Sequence, residues 1–123
     1  MKDLSVLIVD DDYQIRDLMK EIFSRLKWNA AAAQNGDEAL KILREKKFDL
    51  LFTDRTMPGM LGEDLIWRAK LVRSGIKIIM MTGDGNFEEI QRKAMGAGAD
   101  KVLRKPATLS EIENAVNNLF PEN

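Results

Sequence analysis

The chain has 123 residues, the length of one domain, and its 45% hydrophobic and 32% charged content lies outside the composition of disordered chains. Nineteen Lys and Arg against twenty Asp and Glu leave a net charge of −1, which argues against a broad basic face for duplex DNA. Zero Cys and zero His exclude disulfides, thiol catalysis, histidine bases and the usual zinc sites, so any chemistry must come from carboxylates, hydroxyls, lysines, arginines or backbone.

The apolar pattern alternates between two periods along the chain. Val6-Leu7-Ile8-Val9 is a continuous β-branched run, as expected of a strand buried on both faces. After Asp10-Asp11-Asp12, the residues Ile15, Leu18, Met19, Ile22, Phe23 and Leu26 form one helical stripe, with Asp12 placed to cap it. Residues 28–33 are a weak strand candidate because alanine has little strand preference. Asn35 with Glu38 reads as a cap opening a helix through Ala39, Leu40, Ile42 and Leu43. Leu50-Leu51-Phe52-Thr53 is a third strand ending at Asp54, and Pro58-Gly59 opens a loop to Gly62 before a helix marked by Leu65, Ile66, Ala69 and Val72. Residues 76–81 form a fourth strand ending at Thr82. Asn86 with Glu89 then caps a helix that frays in Gly96-Ala97-Gly98. Residues 101–105 make a fifth strand stopped by Pro106, and Thr108 with Glu111 caps a last helix through Leu109, Ile112, Val116 and Leu119.

Five strand–helix units in a row predict an α/β domain over residues 1–123, a doubly wound five-stranded parallel sheet with helices on both faces. Strand order does not follow from this pattern. No apolar run approaches the roughly eighteen residues of a membrane span, and the first run is too short for a signal peptide. A cytoplasmic protein working without membrane or nucleic acid is expected.

In open α/β sheets, sites form outside the carboxyl ends of the strands. There the pattern collects Asp10, Asp11 and Asp12 after strand one, Asp54 after strand three, Thr82 after strand four and Lys105 after strand five. Asp12 has its structural role as a cap. The others, jointly at one edge, are not explained by turn chemistry alone. Two carboxylates about 4 Å apart repel by roughly 4 kcal/mol at an effective dielectric near 20, and a divalent cation relieves that. Oxygen ligands without His or Cys select Mg²⁺, Mn²⁺ or Ca²⁺ over zinc or copper, and a few carboxylates with open positions suit Mg²⁺, which keeps waters and accepts phosphate oxygens. Lys105 and Thr82 suit a phosphoryl anion as point charge and hydroxyl donor. A carboxylate can itself attack phosphorus. The methionines (Met57, Met60, Met80, Met81, Met95) read as core and loop filling, and Lys46-Lys47, Arg92 and Lys93 as solvated charges.

The segments Val6-Leu7-Ile8-Val9-Asp10-Asp11-Asp12, Thr53-Asp54-Arg55-Thr56-Met57-Pro58-Gly59, Met81-Thr82-Gly83 and Leu103-Arg104-Lys105-Pro106 together resemble the receiver domain of two-component response regulators. The likeness covers essentially the whole chain and runs to single-domain members, such as the chemotaxis regulator and the sporulation phosphorelay intermediate. It implies a (βα)5 flavodoxin-like fold and a phosphoacceptor signalling role rather than an enzyme. By resemblance, Asp54 is the phosphoacceptor, with the phosphoryl group coming from a sensor histidine kinase or a histidine phosphotransfer protein. Asp10, Asp11, Asp54 and the backbone carbonyl of Thr56 would hold Mg²⁺. Thr82 and Lys105 would bind the phosphoryl group, Thr56 and Asp84 would tune its lifetime, and the Lys105–Pro106 bond would be cis. Two positions depart from the family: Val102 stands where an aromatic switch residue is usual, and Ala107 where Phe is usual.

Two other readings compete. A haloacid-dehalogenase-like phosphohydrolase would use Asp10 as its nucleophile, but needs an acidic motif beyond the lysine, where only Glu111, Glu113 and Glu122 stand. A receiver-like interaction module would bind partners without phosphorylation, and Val102 and Ala107 keep it in view. A flavodoxin-like cofactor binder fits poorly, since three Asp after strand one would repel its phosphate.

Overall fold

The computed structural model describes residues 3–121. Ten elements alternate strictly: β1 (Ser5–Val9), α1 (Tyr13–Arg25), β2 (Asn29–Ala33), α2 (Gly36–Glu45), β3 (Leu50–Asp54), α3 (Gly62–Val72), β4 (Lys77–Thr82), α4 (Phe87–Ala97), β5 (Lys101–Arg104) and α5 (Leu109–Leu119). All strand pairs are parallel, in the order β2-β1-β3-β4-β5. The chain leaves β1 towards one edge and, after β2, crosses back over β1 to β3. The order therefore reverses between β1 and β3, and a crevice opens at their carboxyl ends.

Burial explains the two-sided sheet. Residues 6–9 are at most 1% exposed, and successive side chains enter opposite cores. Leu7 and Val9 join Leu40, Leu43, Leu65, Ile66, Ile90 and Ala94, which places α2, α3 and α4 on one face. Val6 and Ile8 join Met19, Phe23, Ile112 and Val116, which places α1 and α5 on the other. On that second face, Phe52, Phe23, Trp28 and Phe120 form a chain of edge-to-face rings with centroids 5.0–5.7 Å apart. Trp28 is buried there, while Trp67 on α3 is exposed.

The caps work as their sequences require. Asp12, Asn35, Asn86 and Thr108 each accept a backbone N–H of the helix they open, and Thr108 with Glu111 completes a reciprocal capping box.

Several boundaries differ from the sequence reading. β2 starts at Asn29 because the Trp28 amide bonds the Phe23 carbonyl at the end of α1. β4 starts at Lys77, Ile76 being held in the preceding turn by its bond to the Arg73 carbonyl. β5 ends at Arg104, and Lys105 stands beyond it, since Pro106 has no N–H to extend the ladder. Helix α4 does not fray at Gly96. It runs to Ala97 and stops at Gly98, whose φ of 126° suits glycine. Leu18 and Leu109 do not face the core and are 48% and 45% exposed. Leu18 stands beside the buried Met19 on α1 but opens onto the surface groove they both line, and Leu109 is the first residue of α5.

Candidate acceptor site

The crevice between β1 and β3 is where the chemistry-bearing residues meet. Asp10 follows β1 directly and is 4% exposed; Asp54 is the last residue of β3 and 7% exposed. Asp11 is exposed, and oxygens of Asp10, Asp11 and Asp54 lie within 4.8 Å of one another. The local chain dictates part of this geometry. The Asp12 amide donates to Asp10 Oδ1 at 3.0 Å, while Arg16 reaches back from α1 to donate to the Asp10 carbonyl at 2.8 Å.

Asp54 Oδ1 accepts from the Arg55 amide and from Lys105 Nζ, both at 2.9 Å. Among the described residues, its Oδ2 takes no hydrogen bond, so one oxygen is anchored and the other is available. Lys105 also stands 4.0 Å from Asp10 Oδ2. One ammonium therefore faces a pair of buried carboxylates, with Asp11 close by. Burial, reinforced by the charges of Asp54 and Asp11, raises the Asp10 carboxyl above its usual range, against the opposing Asp12 N–H and Lys105.

Thr82 ends β4 fully buried; its carbonyl accepts the Lys105 amide at 2.8 Å and its Oγ1 accepts the Asp84 amide at 3.3 Å. Gly83 keeps this corner open, because a Cβ there would sit 3.3 Å from Lys105 Cβ. Thr56 and Asp84 are exposed and joined directly, Thr56 Oγ1 donating to Asp84 Oδ2, which ties the loop after β3 to the loop after β4. The Lys105–Pro106 peptide bond is cis. Val102 is buried at 2% exposure among the α2–α4 core residues.

Sequence reasoning gave Arg55 no role, yet its guanidinium forks onto Glu63 with three contacts of 3.0–3.1 Å. It also passed over Arg16, six residues beyond Asp10, where helical spacing gives no cue to a backbone partner. Beside Lys105 lies a groove of about 400 Å³ lined by Ile15, Leu18, Met19, Met81, Pro106 and Ala107.

The donor set is all oxygen, negatively charged and open on the Asp11 side, which fits a hard divalent cation and not a soft one. The family model for the response regulator receiver domain matches residues 6–117. This chain belongs to that family. Over 121 residues, the receiver is 36% identical to sporulation initiation phosphotransferase F of Bacillus subtilis, covering 98% of this chain and 97% of the relative. It is 35% identical over 115 residues to the chemotaxis protein CheY of Halobacterium salinarum, covering 94% and 95%. Among solved structures it is similar to the response regulator TrrA of Thermotoga maritima in complex with Mg²⁺-BeF, with a TM-score of 0.84, 29% identity and coverage of 94% and 98%.

Membership makes this domain a phosphoacceptor signalling module; neither the phosphohydrolase nor the phosphorylation-independent reading is favoured by the matches. Receiver domains take phosphoryl groups from histidine kinases or phosphotransfer proteins and bind Mg²⁺ at an acidic pocket, and the Asp10, Asp11 and Asp54 cluster fits such a pocket. Among the described residues, no helix is long and apolar enough to cross a membrane.

Proposed function

We propose that Asp54 is the phosphoacceptor of this receiver, with Asp10, Asp11 and the Thr56 carbonyl completing a Mg²⁺ site that Mn²⁺ can also fill. The observation that carries the reading is the asymmetry of the Asp54 carboxylate, Oδ1 fixed by Arg55 and Lys105 and Oδ2 left as nucleophile. The donor is a phosphohistidine of a sensor kinase or phosphotransfer protein, since this chain has no histidine of its own. The Asp54 oxygen forms a bond to phosphorus as the phosphorus–nitrogen bond breaks, and the imidazole leaves with the electron pair. Bound Mg²⁺ supplies positive charge to the carboxylates and to the phosphoryl oxygens. Lys105 then follows the new charge from the carboxylate to the phosphoryl group, and Thr82 contributes a hydroxyl donor.

The phosphodonor protein docks on the groove beside Lys105. That surface is apolar through Ile15, Leu18, Met81, Pro106 and Ala107, and it is continuous with the acceptor through Lys105. Exposure of Leu18, unusual for a stripe residue, fits such a role. Thr56 and Asp84 set the lifetime of the acyl phosphate, because their hydrogen bond bridges the two loops beside the acceptor and orders the approach of water. Phosphorylation moves the Thr82 corner and residues 83–86 while β5 stays nearly in place, since Val102 has a short side chain with a stiff χ1 and is already buried. The protein works in the cytoplasm, self-phosphorylates from small phosphodonors and slowly releases phosphate.

Incubation with acetyl phosphate and Mg²⁺, followed by intact-mass measurement and mapping of the modified residue, tests the reading. One phosphoryl group on Asp54 is expected. A label on Asp10 would instead support the hydrolase, and no label at all the interaction module.

A further inference from the structure

We infer that Arg55 and Glu63 form a positioning pair for the acceptor site, an inference that rests on the function proposed above. The loop from residue 55 to residue 62 leaves the acceptor strand and returns to start α3. Its neck is closed twice. The Gly62 amide donates to the Arg55 carbonyl at 2.7 Å, and the Arg55 guanidinium forks onto both oxygens of Glu63 in the first turn of α3. The two side chains are only 19% and 17% exposed, so the pair is shielded from the solvent that weakens surface bridges.

The closure is tight enough to require glycine at its return point. A Cβ on Gly62 would lie 2.9 Å from Arg55 Cα, 3.0 Å from the Asp54 carbonyl oxygen and 2.8 Å from Met80 Sδ. Between the two anchors the chain carries Thr56, and Met57 is inserted into the core at 6% exposure. Arg55 also reaches the acceptor directly. Its amide is shared between the Met81 carbonyl at 3.0 Å and Asp54 Oδ1 at 2.9 Å. Rotation or withdrawal of residue 55 would therefore disturb both the Asp54 carboxylate and the Thr56 carbonyl. The planar guanidinium fixes direction as well as distance when it binds a carboxylate in a fork, which a lysine ammonium does not do.

Two effects of the pair have opposite signs and can be separated. Arg55 is a positive charge near a cation site, so by Coulomb repulsion alone its removal would tighten Mg²⁺ binding. As a positioning residue, its removal must loosen the ligands and weaken binding, as loss of groups that orient metal ligands generally does. Calorimetric titration of Mg²⁺ into wild type, Arg55→Gln, Arg55→Lys and Asp11→Asn decides between them, with melting curves confirming that each protein is folded at the titration temperature. The expected result is about tenfold weaker binding for both Arg55 variants, with acetyl phosphate labelling restored towards wild type at saturating Mg²⁺. Arg55→Lys, which keeps the charge and loses the fork, guards against a variant that fails to fold. Wild-type or tighter affinity in both Arg55 variants overturns the inference while leaving the proposed function standing. Failure of wild type itself to bind Mg²⁺, with Asp11→Asn indistinguishable from it, overturns the proposed function and this inference together.

Discussion

Aspartates stand at both ends of the sheet and do different work there. At the amino end, Asp49 Oδ2 accepts the Ser5 amide at 2.9 Å, and Asp100 Oδ2 accepts the Ile78 amide at 2.8 Å. Among the described residues neither joins a cluster of three acidic groups, and each spends its charge on a strand N–H. At the carboxyl end, Asp10, Asp11 and Asp54 crowd within 4.8 Å around one lysine. An isolated, hydrogen-bonded carboxylate stabilises the fold. A crowded set repels itself, and a bound cation would relieve that repulsion. The same side chain is a brace at one end and the proposed reagent at the other.

The largest expected effect that would break this contrast belongs to Asp54. Asp54→Ala should abolish the Mg²⁺-dependent gain of one phosphoryl group in intact mass, whereas Asp49→Ala and Asp100→Ala should label at the wild-type rate. Full labelling of the Asp54 variant would end the distinction. Next come the proposed metal ligands: Asp10→Asn and Asp11→Asn should each melt higher than wild type without Mg²⁺ and gain less when it is added, because each would lose a repulsion along with a ligand. An unchanged Mg²⁺ shift in both variants would remove the cation site. At the amino end the sign reverses, and Asp49→Ala or Asp100→Ala should cost about 1–2 kcal/mol in urea melts by orphaning a strand amide.

A pH series sharpens the comparison further. With the folded Asp10 carboxyl raised above its unfolded value near 4, the native state binds more protons than the unfolded chain through that window. Metal-free stability should therefore fall as pH rises through the window, and Asp10→Asn should lack this fall. Parallel stability curves for the two proteins would refute it. The smallest effect is kinetic. Thr56→Ala and Asp84→Ala should each change the dephosphorylation rate several-fold, within the range that one positioned hydrogen bond supplies, without altering the labelled residue. Equal decay rates in all three proteins would take these residues out of lifetime control.

How much of this was legible before the structure varied with the range of the interaction. Strands buried on both faces advertise themselves as unbroken apolar runs, and the caps at Asn35, Asn86 and Thr108 are local, so the element order could be read directly. Strand order could not, because it is set by packing between helices far apart in sequence. The end of α1 was also hidden. It turns through Lys27 at a φ of 71°, where glycine would have given the signal. Asp10, Asp54, Thr82 and Lys105 could be nominated because each ends or directly follows a strand, and a parallel sheet brings those ends together. The pairs were harder. Thr56 and Asp84 are 28 positions apart and could be named singly but not joined, while Arg55 and Glu63 meet across an irregular loop that obeys no period. Asp49 and Asp100 carry no motif, and only the backbone geometry shows what they hold.

The two indoles give the molecule an unplanned optical property. Trp28 is 7% exposed at the centre of the ring chain, and Trp67 is 56% exposed on α3, so a water-soluble quencher should reach one emitter and spare the other. Neither indole belongs to the carboxylate cluster or to the groove beside Lys105. Intrinsic emission should consequently follow unfolding, through Trp28, and contact at α3, through Trp67, while staying nearly silent to events at Asp54.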